Sequence, residues 1–152
     1  MPYREFENLQ AVDRFLNLKI NSKEELHEVV ELASVICETP IAMITLMDEN
    51  TQYVKFKVGT DVEQMALTDS FCQYLTGIEE EMMVVPDALS DERFSGNELV
   101  VRSPNVRFYA GVPLITHDGL NMGSLCVMGT KPKKLTCSQE RLLKVLGKRV
   151  IQ

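Results

Sequence analysis

Four cysteines and two histidines are the residues best suited to nucleophilic, redox or metal chemistry in this chain. Cys37, Cys72, Cys126 and Cys137 are separated by 35, 54 and 11 residues, with no C-x-x-C pair, and neither His27 nor His117 stands next to one of them. A zinc site or a disulfide framework needs tighter clusters or a secreted context. The pattern reads as separate buried or half-buried thiols of a reducing compartment, and no metal ligands are assigned. Cys72 opens a predicted short helix, where a helix N-terminus lowers a thiol pKa and favours a reactive or redox-sensing thiolate. It lacks an adjacent basic residue, so the preferred reading is a small side chain packing that helix. Cys126 sits among apolar strand neighbours and reads as core.

Other residues carry polar recognition chemistry. Asp87 follows Pro86 at the end of a predicted strand. It reads equally well as an acceptor for a ligand and as a cap for the next turn. Arg107 offers a guanidinium fork to a carboxylate or phosphate, or ends a strand in solvent, the second being preferred. Phe108 and Tyr109 follow it and must point to opposite faces of the strand, so one belongs to a core and the other to the opposite face. Asp91 and Arg93 pair locally in a loop, and His27, with Glu24 and Glu31 at helical spacing, reads as a solvated helix face. The eight methionines read as ordinary core filling.

The elements that position these residues follow from patterning. Residues 1–20 carry Leu9, Val12, Phe15 and Leu16 at helical spacing. Ser22 with Glu25 forms a capping box for a second helix with Leu26, Val29, Val30, Ala33 and Ile36/Cys37 on one stripe, ended by Glu38-Thr39-Pro40. Ile41 to Met47 is apolar on both faces apart from Thr45, as a doubly covered strand should be. Residues 48–51 are turn chemistry, and Val54 to Val58 alternates as a strand with one wet face. Residues 69–77 form the short helix. Met82 to Val85 is a strand, and 88–106 is a long irregular connection with at most one helical turn, the kind of loop that carries binding groups.

Arg107 to Thr116 and Leu120 to Met128 form two strands around Asp118-Gly119, with Pro113 marking an edge or bulge and Gly123 a close approach. Thr136 with Gln139 caps a final helix that runs to the end. Helices at both ends around antiparallel hairpins make an α+β fold.

Length and composition fit one globular domain of 152 residues: 45% apolar, 25% charged and a net charge of −6. The acidic balance argues against nucleic acid as a partner. The longest apolar run is too short for a membrane span and the first residues are polar, so a cytoplasmic location is expected.

The ordered runs Pro40-Ile-Ala-Met-Ile-Thr-Leu-Met-Asp-Glu, Tyr53-Val-Lys-Phe-Lys-Val-Gly, Ser70-Phe-Cys, Val84-Val-Pro-Asp-Ala, Asp91-Glu-Arg-Phe, Arg107-Phe-Tyr-Ala-Gly-Val-Pro-Leu and Gly123-Ser-Leu-Cys-Val resemble GAF domains. They resemble in particular a bacterial subfamily joined to sensor histidine kinases and diguanylate cyclases. The resemblance covers 22–152, leaving 1–21 as a helical lead segment. It implies a central antiparallel sheet of five or six strands, with the two terminal helices on one face and a ligand cleft on the other. The short helix and long loop would cover that cleft. Ser70, Phe71, Cys72, Asp87, Arg107, Tyr109 and Cys126 become its candidate lining residues.

The implied function is a non-catalytic sensory module. It would bind an unidentified small molecule or mediate homodimerisation through its terminal helices, the last running on into a kinase or cyclase domain. The motifs argue against three cofactors. A bilin-attaching Cys-His is absent, since Gln73 follows Cys72 and Val127 follows Cys126. His27 and His117 are poorly placed for haem, and the cyclic-nucleotide signature has no counterpart. Two alternatives stand: a thiol-dependent enzyme of the free-methionine-sulfoxide reductase type, and a structural dimerisation module without ligand.

Overall fold

A sheet whose two faces are covered differently dominates the computed structural model, which describes residues 23–48, 50–66, 71, 82–116 and 118–151. The predicted helix over 1–20, Ser22, His117 and all of the predicted 69–77 helix except Phe71 lie outside the described residues, as do Ser70 and Cys72.

Helix α1 (Lys23–Cys37) buries Leu26, Val29, Val30, Ala33 and Cys37, the stripe expected from its spacing. It ends in a left-handed residue, Glu38 with φ of 54°. The Glu38 amide donates to the Val35 carbonyl at 3.2 Å and the Thr39 amide to the Ser34 carbonyl at 3.0 Å. These two bonds satisfy carbonyls that a helix end would otherwise leave open. Pro40 then starts the chain toward β1 (Ile41–Met47), whose seven residues are all buried.

Strand β2 (Thr51–Val58) begins earlier than its alternation suggested, because Thr51 already pairs with β3 and Gln52 with both β1 and β3. Strand β3 (Gln64–Ala66) was not anticipated: three residues without alternation form a strand only because Thr51–Tyr53 offers them a ladder. Strand β4 (Met83–Val85) leads to a 3-10 turn (Ala88–Ser90) and the single-turn helix α2 (Glu98–Val101). Strands β5 (Phe108–Ile115) and β6 (Asn121–Gly129) form the second long hairpin, turning at Gly119. Helix α3 (Cys137–Ile151) follows.

The strand order is β3-β2-β1-β6-β5-β4, with every neighbouring pair antiparallel. At Pro113 only β6 pairs with β5, so the residue that cannot donate stands at a local edge, and a register shift follows at Leu114/Ile115. A Cβ at Gly123 would collide with the Thr45 carbonyl, so β1 and β6 can approach there only because the residue is glycine.

Helices α1 and α3 share one face of the sheet. Their core there is mainly aliphatic, with Phe108, Met82 and Cys37 among it: Ile44, Ala110, Val112, Leu125 and Val127 meet Val30, Leu143 and Val150. Helix α3 comes closest at Gly147, where a Cβ would lie 2.8 Å from Val112 Cγ1. The predicted capping box starts it: the Gln139 amide donates to Thr136 Oγ1 at 3.1 Å and the Thr136 amide to Gln139 Oε1 at 2.9 Å. Gln139 Nε2 also donates to the Ile36 carbonyl at 3.0 Å, tying the start of α3 to the end of α1. No helix among the described residues is long and apolar enough to cross a membrane.

Candidate functional site

Residues directly opposite in an antiparallel ladder share a face, so the registers map the side of the sheet turned away from the helices. Val85, Tyr109, Met128 and Ile41 form its first row, and Met83, Gly111, Cys126 and Met43 the second. Pro113, Ser124, Thr45 and Val54 form the third. Met47, Gln52 and Met65 lie one step further, beyond the β1–β2 irregularity at Ile44/Thr45 that turns Val54 to this side. Phe108 faces the helices and Tyr109 faces this side, which decides between the two aromatic residues.

The first two rows are roofed by aromatic rings. Phe71 stacks on Phe94 with centroids 4.3 Å apart and planes 3° from parallel, and meets Tyr109 at 4.8 Å and 32°. All three side chains are buried. Such pairs add roughly 0.5–1.5 kcal/mol beyond the area they bury. Gly111 makes the arrangement possible, since a Cβ there would strike the Tyr109 hydroxyl two residues back on the same face. The Arg93 guanidinium covers the outer side of the stack, 5.0 Å from the Phe94 centroid.

The connection over this face is pinned by its own polar residues. Asp87 caps the 3-10 turn, accepting from the Leu89 amide at 3.1 Å and the Ser90 hydroxyl at 3.4 Å. Asp91 accepts from the Arg93 amide at 2.9 Å and from its guanidinium at 2.8 and 3.1 Å. The Arg93 side chain holds the Asp91 carboxyl below the usual carboxylate range. Asn97 caps α2 through the Leu99 amide at 2.8 Å. Arg107 Nη1 donates to the carbonyls of Val100 at 2.9 Å and Val106 at 3.1 Å. Asp87 and Arg107 thus hold the loop that covers the face, while Tyr109, Cys126 and Phe71 lie inside it.

The third row differs in kind. Thr45 and Ser124 are fully buried and bond to each other through their hydroxyls at 2.8 Å. Gln52 is 1% exposed and its Oε1 has no hydrogen-bond partner among the described residues. Sequence reasoning assigned no site role to Gln52, Ser124 or Phe94. Thr45 was noticed only as an interruption. The available signal was a polar residue at the apolar phase of two adjacent strands, which becomes informative only when the register is known.

Cys37 lies under α1, where burial pushes its thiol up to about 11 despite the opposing pull of Lys133. Cys137 is exposed at the start of α3. His27 contacts Glu31 at 3.2 Å on the outer side of α1, beside an open groove of about 560 Å³ lined by Lys23, Glu24, Glu28 and Phe56. Among the described residues, no three His, Cys, Asp or Glu side chains are grouped to hold a metal ion.

The sequence model of the GAF domain matches residues 21–152, and the chain belongs to the GAF family. It is 38% identical over 134 residues to a cyclic di-GMP phosphodiesterase of Pseudomonas aeruginosa, a match covering 87% of this chain but only 23% of that protein. Its fold is similar to that of a type II free methionine-R-sulfoxide reductase from Thermoplasma acidophilum, with a TM-score of 0.70, 14% identity and coverage of 88% of this chain and 92% of that one. It is also similar to the GAF domain of an Acinetobacter phosphoenolpyruvate-protein phosphotransferase, with a TM-score of 0.63, 22% identity and coverage of 99% and 92%.

Proposed function

We propose that this GAF-family chain is a non-catalytic sensory module of a bacterial, cytoplasmic signalling protein. A small molecule held on the face away from the helices would alter the packing of α1 and α3, and through them a neighbouring output domain. That output domain is a kinase or cyclase, or a phosphodiesterase like the one named for the Pseudomonas relative.

One observation carries the reading. Strand β5 contributes Tyr109 and Gly111 to the candidate face and, one residue later, Val112 to the contact with Gly147 of α3. Glycine inside a helix costs about 1 kcal/mol relative to alanine. Here it allows the helix to seat closely on the strand that forms the ligand face. A ligand shifts such an equilibrium only by its difference in affinity for the two packings.

Homodimerisation through the terminal helices is part of the same proposal. Exposed Leu32 and Val35 on α1 and Leu142 and Val145 on α3 supply apolar pairs at i, i+3 spacing. Glu24, Glu25, Glu28 and Glu31 make the surface of α1 acidic, and Arg141, Lys148 and Arg149 lend that of α3 basic groups, so an α1-to-α3 contact between two copies would match opposite charges.

Paired native and denaturing mass spectrometry of freshly purified protein, followed by hydrogen exchange over 137–151, tests the proposal. The expected result is a retained small molecule whose removal changes α3 protection. Protection of α3 that is identical with and without the molecule overturns it. The thiol-enzyme alternative makes a separate demand: turnover of free methionine sulfoxide that is lost on Cys72→Ser or Cys126→Ser.

A further inference from the structure

Among the described residues the buried polar side chains are Thr39, Thr45, Gln52 and Ser124, and none is charged. Three of these share the face away from the helices. Thr45 and Ser124 oppose each other across β1 and β6, and Gln52 lies one step along, between Met47 and Met65 in the ladder. The hydroxyls bond to each other, whereas Gln52 Oε1 has no partner among the described residues. An amide oxygen accepts up to two hydrogen bonds, and burying one with none is unfavourable. A position that only had to fill space between two methionines would be served better by leucine, which has a similar size and no such penalty.

We infer that Gln52 Oε1 is a ligand contact: the acceptor for the N–H of a small uncharged molecule, such as an amide, seated over the Thr45–Ser124 pair. The surroundings set the charge class. Arg107 is engaged with the Val100 and Val106 carbonyls and Arg93 with Asp91. A charged ligand would meet no buried counter-charge among the described residues and would lose its hydration uncompensated. This inference rests on the sensory reading and deepens it by naming the chemistry at one end of the face.

Methionine methyl NMR of the whole chain tests it, because Met47 and Met65 flank Gln52. Benzamide is the probe and N,N-dimethylbenzamide, which has no N–H, is the control. The expected result is a saturable shift of the Met47 and Met65 methyls with benzamide and none with the control. Gln52→Leu should weaken the benzamide response by at least about tenfold, the equivalent of one lost hydrogen bond, while leaving the melting temperature unchanged or raised. Equal responses to both probes, or unmoved methyls, overturn the assignment. If Gln52→Leu does not fold, the two probes on the wild-type protein still decide. A protein that retains a molecule by mass, but whose Met47 and Met65 methyls ignore its removal, keeps the sensory reading and discards the role of Gln52.

Discussion

The two faces of the sheet come from the same strands, yet they are packed on different terms. The helix-covered face is filled mainly by Ala, Val, Ile and Leu, with Phe108, Met82 and Cys37 among them, side chains that contribute by burial and close contact. The opposite face holds stacked aromatic rings, Met43, Met83 and Met128, Cys126, a hydroxyl pair and an amide oxygen with no partner among the described residues. The first is a face optimised for stability, where alternation and volume suffice. The second also carries buried polar groups, which a core that only fills space has no need of. That difference is the ground on which a ligand is proposed for the second face.

Truncations test that difference most strongly. Phe94→Ala removes the outer ring of the cover and should lower the unfolding free energy by about 3–5 kcal/mol in urea titration. Leu143→Ala on the helix side should cost about 2–5 kcal/mol. The two should separate in hydrogen exchange: Phe94→Ala exposes the 88–106 connection, whereas Leu143→Ala loosens α1 and α3. Identical exchange patterns would mean that the faces are one cooperative core and would remove the contrast.

Gly147→Ala comes next. The added methyl meets the branched side chain of Val112, and overpacking of this kind costs about 1–3 kcal/mol, against about 1 kcal/mol gained in helix propensity. A lower melting temperature is expected; a higher one would show that α3 rides loosely on β5 and cannot report on it. Thr136→Ala breaks the capping box and should cost about 0.5–2 kcal/mol in thermal unfolding.

The smallest effect is acid sensitivity of the connection. Asp91 titrates lower in the folded chain than in the unfolded one because Arg93 bonds its carboxylate. The unfolded chain therefore binds the proton first, near the ordinary value of about 4, and the contribution of the pair is present above that pH and lost as pH falls through the lower folded value. The pair is partly exposed, so its worth is about 0–1 kcal/mol. Asp91→Asn should flatten the acid limb of the stability profile by no more than this. Thiol labelling adds a check on the two sides of the sheet: Cys137 should react before Cys37 and Cys126, which stay protected until unfolding.

The amphipathic stripe of α1, the doubly apolar β1, the Thr136–Gln139 box and the turn at Gly119 were all legible in the sequence. Each rests on interactions within a few residues or on a periodicity that one strand or helix displays by itself. The GAF resemblance added the order of the layers. Four things were not legible. The strand Gln64–Ala66 exists only through its partner. The stack of Phe71, Phe94 and Tyr109 joins residues from three separate segments. Arg107 spends its guanidinium on carbonyls of a loop that precedes it. Gln52 meets Met47 and the Thr45–Ser124 pair only after an irregularity in β1–β2 pairing resets which side chains face which way. Local chemistry is written along the chain, so the sequence by itself determined the elements and their apolar sides. Register is set by pairing between distant strands, so only the tertiary structure decided which polar residues were buried together and which one was left without a partner.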